Sequence, residues 1–303
     1  MTGPEELYSF RALWRQYRAC RRNKRNTRNQ LAFELDVEAN LFRLQAELRA
    51  HTYRPGRSIC FVSGGPKPRE VFAADFRDRV VHHLLVAHQE PVFERRFIHD
   101  SFACRRGKGT LAASDRLMTF LRQATANGRR PAWALKLDVA SFFPSIDKPT
   151  LYDLLAALVR DPELGWLTRT VLFHDPTGDY AFCARDRRAS PPGTPGYPIS
   201  LRKSLFKQQN RCGLPIGNLT SQFWARGRPG RRGRRGGAGR AATALAGAVA
   251  GGGGGSGAGA RRRADGCCRV VTVVPVRLRP EPARAASGGS KEGGVPRRAH
   301  AAR

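Results

Sequence analysis

Asp138 is the residue around which a reaction can be built. It ends an apolar alternation inside the run LKLDVASFFPSID at 135–147. Trp133, Leu135, Leu137 and Val139 fall on one face of an expected buried strand. A strand-end carboxylate suits a hard divalent cation such as Mg2+, which prefers oxygen ligands. The backbone carbonyl of Val139 offers a second oxygen. A cation held there neutralises charge at a reacting phosphate. Taken alone, the same Asp also fits a turn cap with no catalytic part. The run GLPIGNLTSQ at 213–222 carries a Gly-x-Pro-x-Gly turn. Glycine there lets the backbone approach a bound molecule closely. A plain Gly-Pro loop is the alternative.

Candidate basic residues lie elsewhere. Lys67 and Arg69 stand in Pro66-Lys67-Pro68-Arg69 and suit phosphate oxygens. Two basic residues in a turn are also ordinary solvated surface. Arg105, Arg106 and Lys108 belong to a basic, Gly-rich stretch, DSFACRRGKGT at 100–110. His82, His83 and His88 are read as a partly buried helix face in preference to a metal cluster.

These residues need elements to hold them. Leu7, Phe10, Leu13, Trp14 and Tyr17 recur at helical spacing and predict an amphipathic helix within 7–25. Its basic face is either solvated or in contact with RNA. A second helix is expected over 36–50, capped by Asp36, with Leu41, Leu44 and Leu48 inside. Residues 57–73 read as two strands around the turn Ser63-Gly64-Gly65-Pro66. A helix over 75–90 turns Val80, Val81, Leu84 and Leu85 inward and ends at Pro91. Another covers 111–127. Asp147 caps a helix that begins near Pro149 and runs to about 173. Residues 174–210 are expected to be loops, with Pro191, Pro192, Pro195 and Pro198.

The chain has 303 residues and a formal net charge of +30. That length allows one large or two ordinary domains, and the charge fits a nucleic-acid partner. Residues 1–225 carry 36 Lys and Arg against 21 Asp and Glu, and residues 226–303 carry 18 against 3. The second stretch is therefore about three times as densely charged, so only the first bears on an evolved surface. Seven cysteines without a C-x-x-C spacing exclude a zinc ribbon or a disulfide framework and fit a reducing compartment. No apolar run suits a membrane span or a signal peptide, which predicts a cytoplasmic protein with no membrane contact.

Taken in order, the segments resemble the motifs of reverse transcriptases, the RNA-directed DNA polymerases. LKLDVASFFPSID and GLPIGNLTSQ are similar to two consecutive palm motifs. Pro66-Lys67-Pro68-Arg69 resembles the fingers hairpin, FRDRVVHH at 76–83 the fingers helix, and DSFACRRGKGT a basic loop near the template strand. Lys203-Ser204-Leu205-Phe206 also fits. The likeness covers roughly 5–225. It implies an α+β fold with right-hand polymerase fingers and the first part of a palm, at 1–225. The implied reaction is template-directed addition of deoxynucleotides with Mg2+. Asp138 is then the catalytic metal ligand, joined by the Val139 carbonyl. Phe143, five positions on, blocks a 2′-hydroxyl. Lys67 and Arg69 hold the triphosphate, Ile216 and Gly217 line the nucleotide pocket, and Arg105, Arg106 and Lys108 touch nucleic acid. The implied partners are an RNA template, a DNA primer, deoxynucleotides and a small basic accessory protein. Ile216 stands where most relatives have Gln, and Ser221-Gln222 where many have Ser-Pro. That pattern resembles the enzymes of diversity-generating retroelements, which copy a template RNA with errors at adenines. An apolar side chain in place of an amide removes a hydrogen-bonding group and loosens discrimination.

The next palm motif of the family is a paired carboxylate, Tyr-x-Asp-Asp, and no Asp-Asp pair occurs anywhere in the chain. The chain is therefore expected to be catalytically incomplete by itself. Residues 226–303 contain no Phe, Tyr, Trp, Ile, Met, Asn or Gln, and 19 of these 78 positions are Gly. A disordered Arg/Gly/Ala-rich tail is predicted. It reads as the product of a shifted reading frame, since Arg, Gly, Ala and Pro have GC-rich codons, or as a true RNA-binding tail. The apolar run at 270–276 is expected to be an aggregation hazard rather than a strand. Two competing readings stand beside the polymerase: a non-catalytic RNA-binding module and a non-functional fragment.

Overall fold

A computed structural model describes residues 4–22, 26–64, 67–139, 141–184, 190–208, 210–226 and 268–276, with backbone alone at 135–139 and 268–276. The chain opens with helices α1 (Pro4–Leu7), α2 (Phe10–Arg21), α3 (Arg28–Glu34) and α4 (Val37–Arg49). Strands β1 (Ser58–Ser63) and β2 (Arg69–Ala73) follow, then the long helix α5 (Phe76–Glu94), α6 (Thr110–Ala124) and β3 (Ala132–Val139). Helices α7 (Lys148–Ala156) and α8 (Pro162–Phe173), the short strand β4 (Tyr180–Phe182), helix α9 (Leu219–Arg226) and strand β5 (Cys268–Val276) complete it. The mixed α+β class matches the expectation.

Helix α5 is the hub, packed by α2, α3, α8 and α9. One hydrophobic cluster runs from Leu7 to Trp224 and includes Leu13, Tyr17, Leu41, Leu44 and Leu48. The stripes anticipated on α2 and α4 are thus the faces that close the core. Asp36 precedes α4, but its side chain makes no capping bond. Asp147 caps α7 as expected, accepting from the Thr150 N–H at 2.8 Å. Buried amides tie the hub together. Gln89 accepts from Trp224 Nε1 at 2.8 Å and donates to Thr168 Oγ1 at 2.7 Å, joining α5, α9 and α8.

β1 pairs antiparallel with β2, Cys60 opposite Phe72, and parallel with β4, Cys60 opposite Phe182. β4 was not foreseen within the loop-rich stretch, because three residues are too few to show a period. Helix α5 passes through Pro91 instead of stopping there. The segment expected as one helix to about 173 is two, broken at Asp161-Pro162, where Asp161 caps α8 through the N–H groups of Glu163 and Leu164.

The expected buried strand forms as β3, but Trp133 is 66% exposed. The apolar face of α6 is also open, with Leu111, Leu117, Met118 and Phe120 exposed. β3 pairs antiparallel with β5, Ala132 opposite Val276 and Asp138 opposite Arg269, with an irregularity between Lys136 and Leu137. The run at 270–276 is therefore a strand, against expectation. Its β-branched residues favour extended backbone, and the free edge of β3 supplies hydrogen bonds. The rest of the anticipated disordered tail lies outside the described residues. So do Gly65 and Pro66 of the hairpin turn. The five described cysteines that carry side chains form no disulfide among the described residues. Among the described residues, no helix is long and apolar enough to cross a membrane.

Candidate functional site

The 213–218 loop is held from two sides. On one side, the Leu214 N–H donates to the Phe143 carbonyl at 2.9 Å and the Gly213 N–H to the Ile146 carbonyl at 2.8 Å. Lys148 N–H reaches the Arg211 carbonyl at 2.9 Å, and Arg211 Nε reaches Asp147 at 3.1 Å. On the other side, the Phe72 N–H of β2 donates to the Ile216 carbonyl at 2.9 Å. Asn218 Oδ1 accepts from the Ala74 N–H at 3.1 Å. The turn that follows β3 and the hairpin that carries Arg69 thus flank Ile216 and Gly217.

Glycine is required at 217. Its φ is +120°, and an added Cβ would lie 2.8 Å from Val71 Cγ1 and 2.9 Å from the Phe72 oxygen. The loop touches the strand backbone directly. Strand alternation puts Arg69 and Val71 on one face of β2, so Arg69 shares the face that meets Gly217. Arg69 and Lys67 are exposed, and neither pairs with a carboxylate among the described residues. Phe143 is half-buried against the core, with its ring set across Phe142 at 73° and 5.5 Å. The turn around it starts at Ser141, φ +50°, and closes with the Ser145 N–H on the Ser141 carbonyl. The side chains of Asp138 and Val139 are outside the described residues.

Glu70 holds the other wall, and sequence reading missed it. It is 4% exposed and accepts from Tyr197 Oη at 2.6 Å, Ser204 Oγ at 2.8 Å and the Leu205 N–H at 2.7 Å. Burial, then the bond to Glu70, pushes the Tyr197 hydroxyl far above its ordinary pKa. This clasp seats the 197–205 segment on β2. Leu205 in turn lies against Gly213. The available signal was an acidic residue at an inward position of a predicted strand. Replacing Tyr197 with Phe is expected to lower stability by about 1 kcal/mol, because Glu70 keeps its other two donors. Urea unfolding of the variant measures this.

The basic loop at 100–110 is committed internally. Arg105 forms a two-pronged pair with Glu94, at 2.9 and 2.7 Å, and donates to the carbonyls of Ile98 and Ser101. Lys108 donates to the His99 carbonyl and sits over the Phe102 ring. Arg106 is exposed. Arg226 of α9 donates to the carbonyls of Ala103 and Cys104, which pins the loop to the core. The anticipated helix motif at 76–83 is structural in part. Asp78, 1% exposed, accepts from Tyr53 Oη and the Gly56 N–H, each at 2.8 Å.

No group of three or more His, Cys, Asp or Glu that could hold a metal ion gathers among the described residues. Asp147, the described carboxylate nearest in sequence to the turn, is already occupied by Thr150 and Arg211, whose hydrogen bonds hold its pKa below the usual range.

No family model matches the chain. Among curated proteins it is similar to "Nuclear intron maturase 1, mitochondrial" of Arabidopsis thaliana, at 31% identity over 101 residues. That stretch is 33% of this chain and 13% of the maturase. The chain thus matches a small part of a much longer protein that carries an intron maturase's name.

Proposed function

We propose that this chain is a reverse-transcriptase-type scaffold that binds RNA and nucleotide but does not polymerise by itself. The observation that carries the reading is the seating of Ile216 and Gly217 between the Phe143 turn and the Arg69 strand. In support of it, the segments that carry Phe143 and Arg69 flank the loop that carries Ile216 and Gly217. The Lys67 and Arg69 cations and a net +15 over residues 1–225 suit a polyanionic ligand. The likeness to a protein named for intron maturation supports RNA as the partner.

Within this reading, Arg69 and Lys67 bind the triphosphate, Phe143 excludes a ribose 2′-hydroxyl, and Ile216 relaxes base selection as in diversity-generating retroelements. Asp138 and the Val139 carbonyl supply one arm of a magnesium site. A complete site needs further carboxylates, and with no Asp-Asp pair the chain lacks the motif that provides them. A DNA primer and a small basic accessory protein belong to the same proposal.

The test is fluorescence anisotropy with a labelled RNA–DNA primer–template and with a deoxynucleoside triphosphate. Substituting Lys67 and Arg69 by Ala together is expected to weaken triphosphate binding about tenfold. Unchanged affinity would remove the nucleotide pocket and leave a plain RNA-binding module. Such a module binds with a steep salt dependence and little sequence preference. Primer extension by the purified chain, lost in Asp138→Ala, would overturn the claim that it does not polymerise.

A further inference from the structure

The inner face of α5 carries Asp78, His82 and Gln89, all buried. Steps of four and seven residues put them on one stripe of the helix. Asp78 is satisfied by Tyr53 and Gly56, and Gln89 by Trp224 and Thr168. His82 stands between them, 4% exposed, and its buried Nδ1 has no hydrogen-bond partner. Just past the end of α8, His174 has a buried Nε2 that is likewise unpartnered. Both rings line the same cavity of about 20 Å³. It lies between α5, the end of α8, the 55–58 segment and the back of the 214–221 segment.

Buried nitrogens that lose water and gain no partner are costly, so native folds satisfy nearly all of them. Two residues with such nitrogens lining one small cavity point to a shared occupant. A cavity of this volume holds one water, which needs two to four polar partners. A cation fits less well: Asp78 also lines the cavity, but its two oxygens already accept from Tyr53 and Gly56, and no metal-holding group of three His, Cys, Asp or Glu gathers among the described residues.

We propose that the cavity is a built solvent site, in which one ordered water bridges His82 Nδ1 and His174 Nε2. Water both donates and accepts, so it serves two neutral rings in whichever tautomers they adopt. The bridge ties α5 to the end of α8. It also backs the loop whose front meets β2, since Leu214, Pro215 and Asn218 face the same cavity. The site sits behind Ile216 and Gly217 and does not depend on what they bind.

A double-mutant cycle on the full chain tests it, with His82→Phe, His174→Phe and the pair, read by urea unfolding. Each single substitution is expected to lower the folding equilibrium constant about tenfold, because either one breaks the bridge. The double variant should lose little more than a single one. Additive losses, about a hundredfold together, would overturn the shared water. If the variants fail to fold, ring 15N NMR of the unmodified chain decides the matter. Two neutral rings with cross-relaxation to one long-lived water support the proposal, and its absence sinks it. Titration with Zn2+ is the remaining arm. A rise in Tm that requires both histidines would assign the cavity to a cation and overturn the water.

Discussion

Replacing Gly217 with alanine is expected to destabilise the chain by about 4 kcal/mol, from left-handed strain and overpacking together. The backbone there has φ +120°, where a side chain is strained whatever the space around it. Space is lacking as well. The new Cβ would lie 2.8 Å from Val71 Cγ1 and 2.9 Å from the Phe72 carbonyl oxygen. The Val71 methyl can shift, but the Phe72 carbonyl is backbone of β2, a strand held by its antiparallel pairing with β1. Backing the loop away would break the bond from the Phe72 N–H to the Ile216 carbonyl. Gly107 is the control. Its φ is +68° but no atom lies within 4 Å of an added Cβ, so alanine there should cost about 1 kcal/mol. Urea unfolding of both variants measures the difference. Equal costs would mean that the loop does not sit against β2 in solution. Under the proposed function, Gly217→Ala should also weaken nucleotide binding, whereas Gly107→Ala should not.

The helices were legible in the sequence because their burial follows one period. Leu41, Leu44 and Leu48 repeat every three to four residues, and all three are fully buried. The hairpin was legible from its alternation and turn residues. Gly213 and Gly217 could be singled out because glycine permits a close backbone approach, and at Gly217 the backbone approached is that of β2. What escaped reading rests on contacts between distant segments. Glu70 meets Tyr197 and Ser204 across more than 120 residues, and nothing local marks the three as a set. His82 and His174 come together in the same way. Arg105 looked like a free cation because a sequence does not show that Glu94 lies on the neighbouring helix turn. Trp133 reads as buried by alternation, yet burial also needs a covering element, which its own strand cannot supply. The strand at 268–276 was misread for the opposite reason. Its composition suits β structure, but a strand requires an edge, and that edge lies on β3.

Acid should destabilise this fold through His82. Burial first, then the charges of His83, Arg79 and His174, lowers its pKa from 6.5 to about 3. The folded chain therefore holds His82 neutral, while the unfolded chain protonates it near pH 6.5. Its contribution to stability is fully present above 6.5 and is lost progressively as pH falls toward 3. Between pH 7 and 4 that loss is about 3 kcal/mol. His83 and His174 are also lowered, chiefly by burial, and add in the same direction. The surrounding charges do not rescue the imidazolium. At His82, Arg79 repels it and both oxygens of Asp78 are already bonded, while at His174 burial and Lys148 lower the pKa against the pull of Asp175 and Asp179. Asp78 works the other way. Burial raises its pKa against the pull of its hydrogen bonds, so protonating it in acid favours the folded chain and offsets part of the loss. The His82→Gln variant isolates the histidine. Its unfolding midpoint should change less between pH 7 and 4 than that of the unmodified chain, by an amount matching the 3 kcal/mol. Parallel pH profiles would mean that His82 titrates normally in the folded chain. The buried stripe of α5 would then be open to solvent, and the loop behind which it lies would lose its fixed support.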